Sequence, residues 1–367
     1  MEAVHDNRGE QTRDLIQAKK RQDLASSRST LLSIEDLQVS FHTYAGEVHA
    51  VRGVSYSVER GGSLAVVGES GCGKTVTAQA VMRLTPIPPG EIKGGKIFFN
   101  GKDILSLSER EMQSVRGKEI GMIFQDPMTG LNPTMTVGNQ IVEALIKHQR
   151  LSRRAAWEKA VEMLNMVEIP NPAVRATQYP HQFSGGMRQR AMIAMALACE
   201  PLLLIADEPT TSLDVTIQAQ ILDLLKELQE KLGMTIILIT HNLGVVARLA
   251  KDIVVMYAGK VVEKGSSAQV FYNAMHPYTR ALLKSVPRLD RPTRTRLESI
   301  PGTPPDLFVP PRGCAFAPRC RHTMRICVEH DADPIETEPG HRVSCWLWHK
   351  DNPHPPKSDH TNGGFDL

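Results

Sequence analysis

No stretch of 18 consecutive apolar residues occurs in this chain, so the sequence offers nothing of the length a membrane-spanning helix needs. It also lacks an internal repeat and an excess of charge of either sign: the net charge is +3. That balance argues against a basic stripe for nucleic acid and against an acidic solubilising tail. The opening thirty residues are polar with interspersed charges and lack the apolar segment of a secretory signal. The expectation is a cytosolic chain with, at most, peripheral membrane contact. Closely spaced cysteine pairs are missing as well, although six cysteines are present. Zinc sites usually bring two to four residues between paired ligands, and a reducing cytosol disfavours disulfides. What is abundant is apolar residues, at 41% of 367, enough for one full α/β core plus smaller appendages.

Chemistry is written first in Gly68-Glu69-Ser70-Gly71-Cys72-Gly73-Lys74-Thr75. The apolar run Leu64-Ala65-Val66-Val67 reads as a buried strand before it, and Lys74 to Arg83 reads as the helix after it. Glycines in a strand-to-helix loop let successive backbone N–H groups face phosphate oxygens, and the helix N-terminus adds positive partial charge. In that context the segment is a P-loop, in which Lys74 would reach the β- and γ-phosphates of ATP and the Thr75 hydroxyl would ligate Mg²⁺.

A second apolar run, Leu202-Leu203-Leu204-Ile205-Ala206, ends in Asp207-Glu208. A buried strand can present Asp207 beside the metal and Glu208 beside the γ-phosphate, where a carboxylate within hydrogen-bond reach of water can act as general base. Further on, Val215 to Leu232 places Ile217, Ile221, Leu224, Leu225, Leu228 and Leu232 on one helical stripe, a pattern of core packing. Upstream of the carboxylates, Phe183-Ser184-Gly185-Gly186-Met187 opens a helix expected to run to about Cys199. Ser184 then stands at a cap, and Gly185 and Gly186 expose N–H groups at a positive dipole end, making a second anion site. One chain does not need two γ-phosphate cradles for one nucleotide. The simplest account is a head-to-tail pair of subunits, each cradle facing the other's ATP.

These motifs, in this order, resemble the nucleotide-binding subunit of an ATP-binding cassette (ABC) transporter over residues 31–265. The implied fold is an α/β P-loop NTPase core with an antiparallel β subdomain and an inserted helical subdomain at about 125–182. The resemblance also implies a switch glutamine at Gln125, shared between Mg²⁺ and the membrane subunits, a loop aspartate at Asp214 in Ser212-Leu213-Asp214, and a switch histidine at His241 that would hold the γ-phosphate. An aromatic residue before the P-loop would stack on adenine, with Tyr44 preferred to Phe41. Met187 departs from the family's usual Gln without touching Ser184, Gly185 or Gly186.

Beyond about Gly265 the texture changes to His276-Pro277-Tyr278-Thr279, a proline-rich passage, and Cys314, Cys320, Cys327 and Cys345 with 5, 6 and 17 residues between them. By spacing alone, an iron–sulfur cluster, zinc and free thiols all stay open. Together with Gly313-Cys314-Ala315-Phe316-Ala317-Pro318-Arg319-Cys320, the passage resembles the C-terminal region of oligopeptide and dipeptide permease ATPases. That resemblance extends the family likeness over 266–349 as a small cysteine-containing appendage. In that subfamily the cysteines hold a [4Fe-4S] cluster, which carries over to these four. It further implies an ATPase subunit of an oligopeptide importer on the cytoplasmic face of the inner membrane. Its partners would be two transmembrane permeases, a second ABC ATPase (as a heterodimer or a homodimer) and an extracytoplasmic solute-binding protein, with no nucleic acid. Dipeptide, nickel or glutathione uptake, a soluble non-transport ABC ATPase and a redox sensor are the alternatives. Residues 1–30 read as a polar extension and 350–367 as a flexible tail.

Overall fold

A computed structural model describes residues 30–211, 213–285, 300–350 and 352. The polar extension, nearly all of the C-terminal tail, and Ser212 of the loop ahead of Asp214 lie outside the described residues.

Two sheets organise the described chain. The smaller is antiparallel, in the order β2-β1-β4-β5, with β1 at Thr30–Thr43, β2 at Gly46–Glu59, β4 at Gly90–Phe99 and β5 at Lys102–Asp103. Its long strands alternate buried with exposed residues over much of their length, as a sheet with one wet face should. The larger sheet has eight strands in the order β11-β12-β10-β9-β3-β8-β7-β6. Its parallel centre comprises β3 (Ser63–Val67), β8 (Thr235–Thr240), β7 (Leu203–Asp207) and β6 (Ile120–Ile123). Every residue of these four strands is buried, which explains why they read as continuous apolar runs without alternation.

One face of that centre, through Leu204, Ala206, Ile236 and Leu238, belongs to one apolar core with the helices Gly185–Leu197 and Val215–Leu232, which the helices Val137–Gln149 and Arg153–Met166 extend. The other face, through Val66, Ile205 and Ile237, meets the helix Lys74–Val81 and the antiparallel sheet. The C-terminal region is continuous with the large sheet. β9 (Asp252–Tyr257) pairs with β10 (Lys260–Ser266), and β10 with β12 (His341–Val343), which pairs in turn with β11 (Ile335–Glu338). A third core joins Val67, Val255 and Tyr257 of the sheet to Tyr278, Leu282 and Phe316.

At the seam of β10 and β12, the Glu263 carboxylate is buried. It accepts from the main-chain N–H groups of Met275 and His276 at 2.7 and 2.9 Å and lies 2.8 Å from His341 Nε2. Such a carboxylate survives burial because its oxygens are occupied by donors.

Candidate nucleotide site

Adjacent parallel strands deliver the site residues. β3, β8, β7 and β6 lie side by side, and the segments leaving their C-terminal ends are Gly68–Gly73, His241, Glu208 and Gln125 respectively. In an open parallel sheet the crevice beyond the strand ends is where ligands bind.

The P-loop is built on close backbone approach. A Cβ at Gly68 would fall 2.2 Å from the Met256 carbonyl oxygen, and one at Gly73, whose φ is +95°, would fall 2.4 Å from that of Ala50. Neither position admits a side chain. Lys74 is buried, and its Nζ donates to the carbonyls of Gly68 and Glu69 at 2.8 and 2.9 Å. The ammonium is therefore held inside the loop.

Thr75 Oγ1 donates to Asp207 Oδ1 at 3.1 Å. Burial pushes the Asp207 carboxyl up to about 6, against the opposing pull of the Thr75 hydrogen bond, and Glu208 next door raises it further. A desolvated carboxylate paired with a hydroxyl is a hard oxygen donor set that suits Mg²⁺. Gln125, the third residue expected at Mg²⁺, donates through its Nε2 to Glu208 Oε2 at 3.1 Å.

Glu208 is the hub of the remaining polar residues. Besides Gln125, Thr211 Oγ1 donates to its Oε2 at 2.9 Å, and His241 Nδ1 lies 3.2 Å from its Oε1. Burial works to raise the Glu208 carboxyl, but the hydrogen bonds of His241 and Thr211 outweigh it and hold the group below the usual carboxylate range. Its backbone has φ +44°, a left-handed conformation unusual for glutamate and typical of strained functional positions. The Glu208 N–H is anchored on the Ile239 carbonyl at 2.9 Å.

The residues expected to form a second anion element make a cluster of their own. Ser184 caps the helix Gly185–Leu197 by accepting from the Met187 N–H at 3.3 Å. A Cβ on Gly185 or Gly186 would meet Leu213 and Ile217, and Asp214 caps the next helix by accepting from the Ile217 N–H at 3.0 Å. These contacts tie Ser184, Gly185, Gly186 and Asp214 into one corner and include no P-loop residue. Tyr44 is fully exposed at the turn between β1 and β2, whereas Phe41 packs on the core.

Cys314, Cys320, Cys327 and Cys345 line one small cavity with His276, Pro277 and Phe316. Burial pushes the Cys314 and Cys345 thiols up to about 11 and about 12, and raises Cys320 as well. Among the described residues no group of three or more His, Cys, Asp or Glu side chains is placed to hold a metal ion, so the expected iron–sulfur cluster finds no support in the side-chain placement. Sequence reading missed Thr211, which no periodicity marks, and gave no role to Tyr278 or Arg319. Both of these touch the P-loop, and the signal for them was their place in the two C-terminal motifs.

Comparison with known proteins places these features in context. Residues 51–211 match the family described as ABC transporter, and residues 262–327 match the oligopeptide/dipeptide transporter C-terminal region. The oligopeptide transport ATP-binding protein OppD of Bacillus subtilis is 57% identical, over 89% of this chain and 92% of its own length. The dipeptide transport ATP-binding protein DppD of the same organism is 55% identical, over 86% and 94%. Among solved structures, a dimeric ATP-binding cassette in a post-hydrolysis state bound to ADP and Pi is 26% identical, with a TM-score of 0.58, covering 64% of this chain and 98% of that one.

Proposed function

Because the chain belongs to the ABC transporter ATP-binding subunits that carry the oligopeptide/dipeptide C-terminal region, we propose the following roles for its residues. The chain hydrolyses ATP and energises peptide uptake through partner membrane permeases. Within that activity, Gly68 to Gly73 cradle the phosphates, Lys74 binds the β- and γ-phosphates, and Tyr44 covers the adenine. Thr75 and Asp207 would hold Mg²⁺, with Gln125 nearby, and the ion when bound neutralises charge on the phosphate oxygens. Glu208 accepts a proton from the attacking water, and His241, hydrogen-bonded to it, faces the γ-phosphate. The observation that carries this reading is the convergence of Gln125, Thr211 and His241 on Glu208, beside an Asp207 already paired with Thr75.

Ser184, Gly185, Gly186 and Asp214 serve the partner subunit's nucleotide. That the contacts of Gly185 and Gly186 are with Leu213 and Ile217, and with no P-loop residue, supports this. ATP between the two subunits then converts phosphate affinity into association, and hydrolysis releases it. Among the described residues no helix is long and apolar enough to cross a membrane. The chain works at the membrane through its permeases, and we assign it to the cytoplasmic face of the inner membrane, with a second, similar ATPase and a solute-binding protein in the assembly. Oligopeptides are the proposed solute. The four cysteines are proposed as ligands of an iron–sulfur cluster because all four donors are sulfur and all line one cavity, although no group among the described residues is placed to hold a metal ion. A cluster, when bound, supplies cross-links between the segments that carry them.

The test combines trapping with association. Glu208→Gln is expected to bind ATP, to lose about 10²–10⁴-fold in turnover, and to run as a pair in ATP but not without it. Adding Ser184→Arg should abolish the pair while leaving ATP bound to each chain. Normal turnover in Glu208→Gln removes Glu208 as base, and pairing that survives Ser184→Arg removes the shared-nucleotide arrangement.

A further inference from the structure

The P-loop is gripped from outside the nucleotide crevice. The Arg319 side chain is 4% exposed, and its two terminal nitrogens donate to Glu69 Oε2 and Oε1 at 2.6 and 2.9 Å. This is the two-pronged geometry that a guanidinium makes and an ammonium cannot. The fork is aimed by other groups, because Nη1 also donates to the Tyr257 hydroxyl at 3.1 Å and Nε to the Pro301 carbonyl at 2.8 Å.

The same P-loop residue is held at its main chain. The Glu69 N–H donates to the Tyr278 hydroxyl at 2.8 Å, and the Glu69 carbonyl accepts from Lys74 Nζ at 2.9 Å. Glu69 thus meets Arg319 through its side chain, Tyr278 through its N–H and the phosphate-binding lysine through its carbonyl. Tyr278 is itself fixed, buried among the rings of Tyr257 and Phe316 at centroid distances of 4.6 and 5.4 Å.

An acidic side chain in a phosphate cradle is an electrostatic liability, since a free carboxylate would repel the nucleotide. Here the carboxylate is drawn to the C-terminal region and neutralised there. We propose that Arg319, assisted by Tyr278, is a positioning residue for ATP binding: the C-terminal region orients the Glu69 peptide and keeps its carboxylate away from the phosphates, and so sets nucleotide affinity. The inference rests on the reading of Gly68–Thr75 as the ATP site. Glu208, Gln125 and His241 make no contact with this clamp in their hydrogen bonds, so its loss should fall on binding and spare the chemical step.

The experiment uses the full-length chain in complex with its permeases, with ATP affinity, KM and kcat measured together and thermal melting recorded for each variant. Arg319→Met should weaken ATP binding and raise KM on the order of tenfold, the loss of one charge-assisted pair, while kcat stays within about twofold. Arg319→Lys, which keeps the charge and loses the fork, should fall between. Glu69→Gln removes the repelling charge together with the pair, so Arg319→Met/Glu69→Gln should bind ATP no worse than Glu69→Gln alone, because the two residues act as one unit. Unchanged affinity in folded Arg319→Met, or losses that simply add in the double variant, overturn the proposal. If Arg319→Met does not fold, Arg319→Lys decides by the same affinity criterion. Lys74→Ala is the control: if it binds ATP normally, the P-loop assignment fails, whereas loss of binding there with none in Arg319→Met defeats the clamp alone.

Discussion

Two neighbouring carboxylates are driven in opposite directions by their surroundings. Asp207 is pushed up to about 6 mainly by burial, while Glu208 is held low because His241 and Thr211 bond to its charged form. For Asp207 the raised value has a definite sign. Between its ordinary 3.8 and about 6 the folded chain binds more protons than the unfolded chain, so its contribution to stability falls as pH rises through that window. Above the window the charged group costs the metal-free fold about 2–3 kcal/mol, since each tenfold change in proton affinity corresponds to about 1.4 kcal/mol. Asp207→Asn is therefore expected to melt higher than the parent at neutral pH without Mg²⁺, with the gap closing toward pH 4. Mg²⁺ should raise the parent's melting temperature more at pH 8 than at pH 5. A gap independent of pH, read by thermal melts across that range, would show that the Asp207 charge carries no such cost.

At the scale of elements, the helix Val215–Leu232 coincides with its sequence reading because Ile221, Leu224, Leu225 and Leu228 form one buried stripe and Asp214 caps its start. The helix after the P-loop, expected to reach Arg83, ends at Val81. Arg83 adopts φ +48°, and the Leu84 N–H turns back to the Gln79 carbonyl at 2.8 Å, a left-handed closure that hydrophobic periodicity cannot report. The helix expected to reach about Cys199 ends at Leu197, with Ala198 continuing in right-handed conformation as its cap. Packing fixes what such elements are worth. Leu225 is fully buried between its helix and the neighbouring core, so Leu225→Ala should destabilise the chain by about 2–5 kcal/mol, measured by denaturant midpoint. A loss below about 0.5 kcal/mol, the size seen at surface positions, would mean the stripe is not core.

On the scale of the whole molecule, the C-terminal region is bound into the cassette by strand pairing of β10 with β12, by the buried Glu263 and His341, and by Arg319 on the P-loop. It adds strands to the main sheet instead of trailing from it. Its cysteines come from separated segments, and the cavity they line exists only in the folded region. Anaerobically purified protein is expected to show broad visible absorption and to contain iron and acid-labile sulfide, and Cys320→Ser should reduce both. Colourless protein with four titratable thiols in this region would instead leave the cysteines as buried packing.

By itself the sequence determined the local chemistry: the P-loop, the carboxylates ending an apolar strand, the Ser184 cap and the buried parallel strands. Each is specified by residues within a few positions of one another, so spacing and hydrophobicity report it. Convergence could not be read that way. Which strand ends are neighbours depends on the order β3-β8-β7-β6, and that order brings Gln125 and His241 to Glu208 across 83 and 33 residues. The pairing of Arg319 with Glu69 spans 250 residues. Contacts at such separations leave no periodic trace, because they are selected by the packing of sheets and helices against each other, and only the tertiary structure decided them.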